Sequence, residues 1–239
     1  MFVPDRKVKK VIVSCDCTNN IISSLEKFNI DVIKTFKNPD LPEGLSTHAD
    51  LQICFIEDYV ITAPFAYEYY KELLPDYNVV RGNSKVQGAY PNDISYNVLT
   101  SKKRLFHNLK YTDKKVLQVC SDVDYSIYNV NQGYTKCTVC VVNENAVITE
   151  DEGVEKALKK SGFDVLYINS GDVVLKGYKN GFLGGASGLI DKDKLCFFGD
   201  ITKHSNFTEI HDFAYKYGVS LISLSNEPLV DYGSIIPVF

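Results

Sequence analysis

Apolar and polar positions along the chain switch repeatedly between two periods. An apolar run, Thr138–Val142, meets a polar turn, Asn143-Glu144-Asn145, and a second apolar run, Ala146–Thr149. Short apolar runs bounded by turn residues predict a strand hairpin. Thr149-Glu150-Asp151-Glu152 then predicts a helix start, because a capping side chain and first-turn carboxylates satisfy the free N–H groups and the positive helix end. Val154, Ala157 and Leu158 recur at helical spacing, and Lys159, Lys160 and Gly162 predict the stop. Phe163–Ile168 is a further predicted strand. The unit reads strand, turn, strand, helix, strand.

The same unit recurs at Leu51–Ile56, Tyr59–Thr62, a helix over Phe65–Leu74 and Asn78–Val80. It recurs again at Ser95–Thr100, Leu105–His107, a helix from Asp113 and Tyr125–Val130. A fourth copy runs through Ala186–Ile190, Leu195–Phe198, a helix over Thr208–Tyr217 and Val219–Leu224. Starts near His48, Pro91, Thr135, Gly185 and Ser234 lie 43 to 50 residues apart, within the range of repeat architectures. Two fragments remain. The N-terminal segment offers a strand at Lys10–Ser14, a helix at Thr18–Phe28 and a strand at Asp31–Thr35, and lacks only the first strand. The C-terminal Ser234–Phe239 is a strand with nothing after it. Pairing the two completes a fifth unit and removes exposed sheet edges. The expected organisation is one domain over residues 1–239, with units at about 48–90, 91–132, 133–181, 182–231, and 232–239 joined to 1–47.

Composition narrows the function classes. The 239 residues are 45% hydrophobic and 23% charged, an ordinary globular balance with enough chain for a sizeable core. A net charge of −4 and a pI near 5.6 argue against DNA as a partner, which needs phosphate-neutralising cations. No apolar run approaches a membrane span or a signal h-region, so a cytoplasmic protein is expected. Lys-, Asn-, Ile- and Tyr-rich usage, with arginine only at Arg6, Arg81 and Arg104, points to an AT-rich bacterial genome.

Seven cysteines is an odd number, and a reducing compartment disfavours disulfides in any case. Cys137 and Cys140 have the spacing of redox and zinc sites. Yet Cys137-Thr138-Val139-Cys140-Val141-Val142 reads as a strand, where positions three apart face opposite sides. Cys54, Cys120, Cys140 and Cys196 sit in apolar runs and read as small buried hydrophobes. No metal and no cofactor is expected.

Five such units closed by the two termini resemble the pentein fold, the five-bladed α/β propeller of guanidino-modifying enzymes such as arginine and agmatine deiminases, dimethylarginine hydrolases and amidinotransferases. The resemblance covers essentially the whole chain and is closest to a minimal bacterial branch without insertions. His48-Ala49-Asp50-Leu51 looks like the H-x-D that opens a strand in deiminases. There the histidine moves protons and the aspartate helps hold the guanidinium. Residues two apart on a strand share a face, so His48 and Asp50 are both expected at the central channel. The alternative is that His48 caps a strand and Asp50 is a turn carboxylate. Ser170-Gly171-Asp172-Val173 looks like the G-G-D-V element of arginine deiminases, with Ser170 in place of the first glycine.

The departure lies at Leu183-Gly184-Gly185-Ala186-Ser187-Gly188, where Ser187 or Gly188 falls at the position of the deiminase nucleophilic cysteine. A serine hydroxyl is far less ionised than a thiol and needs a dedicated base. Cys137, at the Thr135 unit start, is the best nucleophile candidate by position; the alternative is a buried or mouth-facing inert cysteine. The expected catalytic set is therefore His48, Cys137 and Asp50. Asp93, Asn97, Asp172 and Ser187 are the expected substrate-binding residues, with Asp231 and Ser234 as additions to the rim; the alternative for Asp93 and Asp172 is an ordinary solvated turn carboxylate.

Two function classes stay open. One is a hydrolase or transferase acting on a guanidino or amidine C–N bond, with a small cationic guanidino ligand. The other is a non-catalytic scaffold for a ligand or protein partner, like the ribosome anti-association factors of this fold. A third structural reading, an ordinary doubly wound α/β domain, predicts that the termini lie apart and that His48, Asp93 and Cys137 do not converge.

Overall fold

Every predicted hairpin-plus-crossover builds a sheet of its own. The computed structural model describes residues 3, 4 and 6–239. In the unit made by the chain ends, β1 (Lys10–Val13) pairs in parallel with β2 (Asp31–Lys34) across helix α1 (Asn19–Glu26). The last strand, β17 (Ile236–Val238), pairs antiparallel with β1, Val11 opposite Pro237. The termini therefore lie together, which excludes the open doubly wound reading.

The other four units repeat this order. Short helix α2 (Ala49–Gln52) leads into β3 (Ile53–Ile56), β4 (Tyr59–Thr62), α3 (Tyr67–Leu73) and β5 (Asn78–Arg81). The next unit holds β6 (Leu99–Ser101), β7 (Arg104–His107), α4 (Lys114–Asp122) and β8 (Ser126–Asn129). Then come β9 (Val139–Val141), β10 (Ala146–Thr149), α5 (Glu152–Lys160) and β11 (Asp164–Tyr167). After a two-residue strand, β12 (Val173–Val174), the fourth copy is β13 (Ser187–Asp191), β14 (Lys194–Phe197), α6 (Phe207–Lys216) and β15 (Ser220–Ser223). In each sheet the middle strand runs antiparallel to the first and parallel to the third. A separate pair, β12 with β16 (Leu229–Val230), ties the loop after the third unit to the segment before β17.

Local chemistry accounts for these elements. Asp151 caps α5 by accepting from the Val154 N–H at 2.8 Å, Glu152 and Glu155 sit in the first turn, and Lys159 and Lys160 close it. Thr18 and Asp113 cap α1 and α4 in the same way. The inward face of α5 is Val154 and Leu158, both fully buried. Burying each contributes about 1.5 to 3 kcal/mol.

Burial grades across every sheet. First strands β3, β6, β9 and β17 are buried throughout, while third strands such as β5, β8 and β15 are exposed at both ends. Sheets thus turn their first strands inward and their third strands to solvent. The third strands are four residues long, which blunts their free edges. Among the described residues, no helix is long and apolar enough to cross a membrane. All seven cysteines are free, and six are buried.

Candidate functional site

A polar cluster forms where the five inward strands begin. Each supplies a group from the residues just before it: Asp50 ahead of β3, Asn97 ahead of β6, Lys136 and Cys137 ahead of β9, Gly184 ahead of β13, and Ser234 ahead of β17. They are joined by hydrogen bonds. The Cys137 thiol donates to Asp50 Oδ2 at 3.0 Å, and Asn97 Nδ2 donates to the same sulfur at 3.2 Å. Asn97 Oδ1 also accepts from the backbone N–H of Lys136 at 2.8 Å and of Cys137 at 3.2 Å, so one side chain fixes both the backbone and the sulfur of Cys137. The Ser234 hydroxyl donates to Asp50 Oδ2 at 2.7 Å and accepts from Lys136 Nζ at 2.9 Å. The Gly184 carbonyl lies 3.3 Å from the same ammonium. Ser234 holds this place with φ of 75°, a left-handed strain that a non-glycine residue carries only when its surroundings enforce it.

The unit starts read as extended strand in the sequence, and here the structure corrects the expectation. His48 occupies the N-cap position of α2, and Asp50 lies in its first turn rather than on β3. Cys137 lies in a turn, and β9 begins only at Val139. Apolar and polar residues alternate in a single helical turn as they do in a strand, so four residues of pattern do not separate the two. His48 and Asp50 still come together, because a tight turn gathers side chains as well as a strand face does. His48 makes no capping bond.

A cavity of about 160 Å³ opens over this cluster, with His48, Cys137, Asp231 and Tyr134 among its lining residues and Leu45, Leu175, Tyr178 and Phe182 as apolar wall. His48 is 2% exposed, and neither ring nitrogen has a hydrogen-bond partner. Its Nδ1 stands 4.0 Å from Asp50 Oδ1 and 3.9 Å from Asp231 Oδ1. Asp50 Oδ1 is likewise buried and unpartnered. Asp231 is held from behind by the N–H groups of Phe182 at 3.0 Å and Gly233 at 3.0 Å. Its carboxyl is shifted upward by burial. Burial also pushes the Cys137 thiol well above its ordinary value, and the charges of Asp50 and Asp231 add to the shift. A sulfur that accepts from Asn97 and donates to Asp50 is a thiol.

Two glycines explain how the turns approach so closely. A Cβ on Gly233, at φ of 77°, would stand 2.4 Å from His48 Cβ. A Cβ on Gly184 would stand 2.5 Å from the Cys137 carbonyl oxygen. The glycine-rich turn thus serves close packing against the neighbouring unit.

Of the remaining sequence-identified residues, Asp93 borders the site through one contact. Its Oδ2 accepts from the Tyr134 hydroxyl at 2.6 Å, its Oδ1 has no partner, and burial raises its carboxyl. Asp172 lies elsewhere, accepting from Ser205 Oγ at 2.6 Å and Ser205 N at 3.1 Å in a half-exposed loop. Ser187 is buried at the start of β13 beside Cys140, and neither Asp172 nor Ser187 lines the cavity. The cavity walls Tyr134 and Phe182 carried no sequence signal beyond their nearness to unit starts.

Five sheets of this order, with a polar cluster where their inward strands begin, define the pentein fold. Solved structures agree. The chain is similar to an agmatine deiminase of C. jejuni with substrate bound, at 11% identity over 98% of this chain and 94% of that one, with a TM-score of 0.59. It is similar to SxtG, an amidinotransferase of the saxitoxin pathway from Microseira wollei, at 12% identity over 92% and 89%, TM-score 0.56. A dimethylarginine dimethylaminohydrolase matches at 9% identity over 92% and 93%, TM-score 0.56. No curated protein matches the sequence. The chain belongs to the family described as "Family of unknown function (DUF6873)", whose model matches residues 12–236.

Proposed function

We propose that the protein is a hydrolase or transferase acting on a guanidino or amidine carbon, with Cys137 as nucleophile, His48 as proton carrier and Asp50 with Asp231 as the cation's anchors. One observation carries this reading. A thiol, an unpartnered imidazole and the Asp231 carboxylate line a cavity with aromatic walls, Asp50 bonds the thiol, and among the described residues lining it there is no lysine or arginine, the Lys136 ammonium being held by Ser234 and the Gly184 carbonyl. Such a floor suits a planar cation, which the carboxylates attract and the faces of Tyr134, Tyr178 and Phe182 also favour. The structural neighbours are named for chemistry on guanidino groups, in keeping with this ligand class.

The electrostatics support a sequence of steps. Without ligand, burial and then the charges of Asp50 and Asp231 keep Cys137 protonated. A bound guanidinium neutralises the two carboxylates and favours the thiolate against the remaining penalty of burial. Its proton passes to His48, within 4.8 Å of the sulfur. The thiolate forms an S–C bond to the guanidino carbon. One C–N bond then breaks, and the amine departs with the proton from His48. Water, deprotonated by His48, cleaves the S–C bond to a urea-type product and restores the thiol. In a transferase a second amine takes the place of water.

The test is a pair of electrophiles. Chloroacetamidine, a cation, is expected to alkylate Cys137 at least about tenfold faster than neutral chloroacetamide, a difference of about 1.4 kcal/mol in barrier. Equal rates would remove the basis of the mechanism. They would favour the non-catalytic scaffold, for which a thiol held protonated in a buried network is a structural group. Residues 1–239 acting as one domain of five units is part of the same proposal.

A further inference from the structure

The geometry points to a second use of this cluster: His48, Asp50 and Cys137 form a three-ligand site for a soft divalent cation of the zinc class, with a fourth position open to the cavity. The sequence pattern gives the opposite expectation, because it offers Cys140 as the partner of Cys137. The structure instead brings Cys137 to residues far away in sequence.

Three observations carry the inference. A histidine nitrogen, a carboxylate oxygen and a thiol sulfur lie within 4.8 Å of one another, and all three residues are buried. Bond lengths of about 2.0 to 2.3 Å put neighbouring ligands of a tetrahedral ion roughly 3.3 to 3.6 Å apart, so the side chains need to close by roughly 1 Å. The lone pairs that would bind are also free: both His48 nitrogens and Asp50 Oδ1 are buried without partners. A buried polar atom without a partner is destabilising by about 1 to 3 kcal/mol, and a bound ion relieves one His48 nitrogen and Asp50 Oδ1 together. Finally, the supporting groups are in place. Ser234 donates to the other Asp50 oxygen, Asn97 donates to the sulfur, and Asp231 stands 3.9 Å from His48 Nδ1, where it can orient the ring.

The donor set selects the ion. Thiolate and imidazole favour zinc and its soft neighbours over magnesium or calcium, which take oxygen ligands. Three protein ligands with one open position is the arrangement of reactive rather than structural zinc sites. On binding, the Cys137 S–H bond breaks, the sulfur keeps the electron pair for the metal, and the proton leaves to solvent. The sulfur cannot ligate a metal and attack carbon at once, so zinc and a guanidinium substrate exclude each other. Metal binding itself does not depend on the proposed chemistry.

The experiment titrates the full metal-free chain with Zn²⁺ by calorimetry and with Co²⁺ by absorption. One equivalent is expected to bind, and Co²⁺ is expected to give a thiolate-to-cobalt charge-transfer band. Cys137→Ser should abolish the band, and His48→Gln and Asp50→Asn should each weaken zinc by at least about tenfold. Asp172→Asn, outside the cluster, should change neither. Failure to bind one equivalent, or a cobalt band that survives Cys137→Ser, overturns the site. Should Cys137→Ser not fold, His48→Gln decides, since its ring has no protein partner to lose; unchanged zinc affinity in that variant also overturns the proposal. Chloroacetamidine selectivity, measured with chelator present, reports on the guanidino reading separately.

Discussion

His48 and His107 are both buried, at 2% and 0% exposure, and both lie beside an inward part of the fold, yet their surroundings are opposite. His107 ends β7 with each ring nitrogen matched: Nδ1 with Thr112 Oγ1 at 2.7 Å and Nε2 with the Gly133 carbonyl at 2.7 Å. Burial lowers its pKa to about 4, so it is a neutral packing group. His48 has neither nitrogen matched and two carboxylates within 4.0 Å. His204, also buried, lies between the two, with Nδ1 accepting from the Asn206 N–H and Nε2 unpartnered. In the proposed function the partner that His48 lacks is the substrate, whereas His107 is complete without one.

The sharpest way to break this comparison is at the thiol beside His48. Cys137→Ser is expected to lower turnover of an alkylguanidine at least roughly a thousandfold, as removal of a nucleophile does. It should also eliminate any covalent adduct seen by mass spectrometry of the intact protein. Persistence of turnover would place the chemistry elsewhere and leave His48 without the role given to it.

The two histidines themselves give the next test. His107→Leu orphans the Gly133 carbonyl, while the Thr112 hydroxyl keeps the Asn108 carbonyl, so a loss of about 1 to 3 kcal/mol is expected in denaturant unfolding. His48→Leu, similar in volume, removes two unsatisfied atoms and is expected to leave stability unchanged or raise it by about 1 kcal/mol. It should abolish activity at the same time. Equal destabilisation by the two would mean that His48 is a packing residue after all. Gly233→Ala probes the same contact from the other side. Its Cβ would stand 2.4 Å from His48 Cβ at a left-handed φ, so a loss of about 1 to 3 kcal/mol and a displaced ring are expected.

The regions also differ in how far the sequence reveals them. The repeat was legible because each unit carries its own caps and turns, such as Asp151 before α5 and Asn143 before β10. The meeting of the unit starts followed from the repeat, and His48, Asp50, Asn97 and Cys137 do converge. The local conformation there was not legible, since α2 and the turn at Cys137 mimic the ends of the strands that follow. Asp172 draws notice through a resemblance of four residues, yet its Oδ2 accepts two bonds from Ser205 in a loop away from the cavity. Whether a carboxylate is already satisfied depends on residues distant in sequence, which no short motif reports.

Glu150 extends the comparison with a smaller effect. It follows β10 and has both carboxylate oxygens buried without side-chain partners, as His48 has its nitrogens. Burial raises its pKa to about 8, with the nearby Leu183 backbone opposing and the charges of Asp231 and Asp172 adding. Its folded pKa lies above its ordinary 4.5, so the folded state holds this proton more tightly. The stability it contributes is full below about 4.5 and is lost as pH rises through about 8. His107 has the opposite sign. Its contribution is present above its ordinary 6.5 and is lost as pH falls through about 4. Between pH 6.5 and 8, therefore, His107 is silent and Glu150 still titrates, while the raised carboxyls of Asp93 and Asp231 act only in the same direction as Glu150. The melting temperature is expected to fall across that interval in the unaltered protein. Glu150→Gln fixes the neutral form and should flatten the slope, whereas His107→Leu should lower the whole curve and leave the slope intact. A slope unchanged by Glu150→Gln would show that Glu150 finds solvent or a cation in the folded state, and that its unpartnered oxygens differ in kind from those of His48.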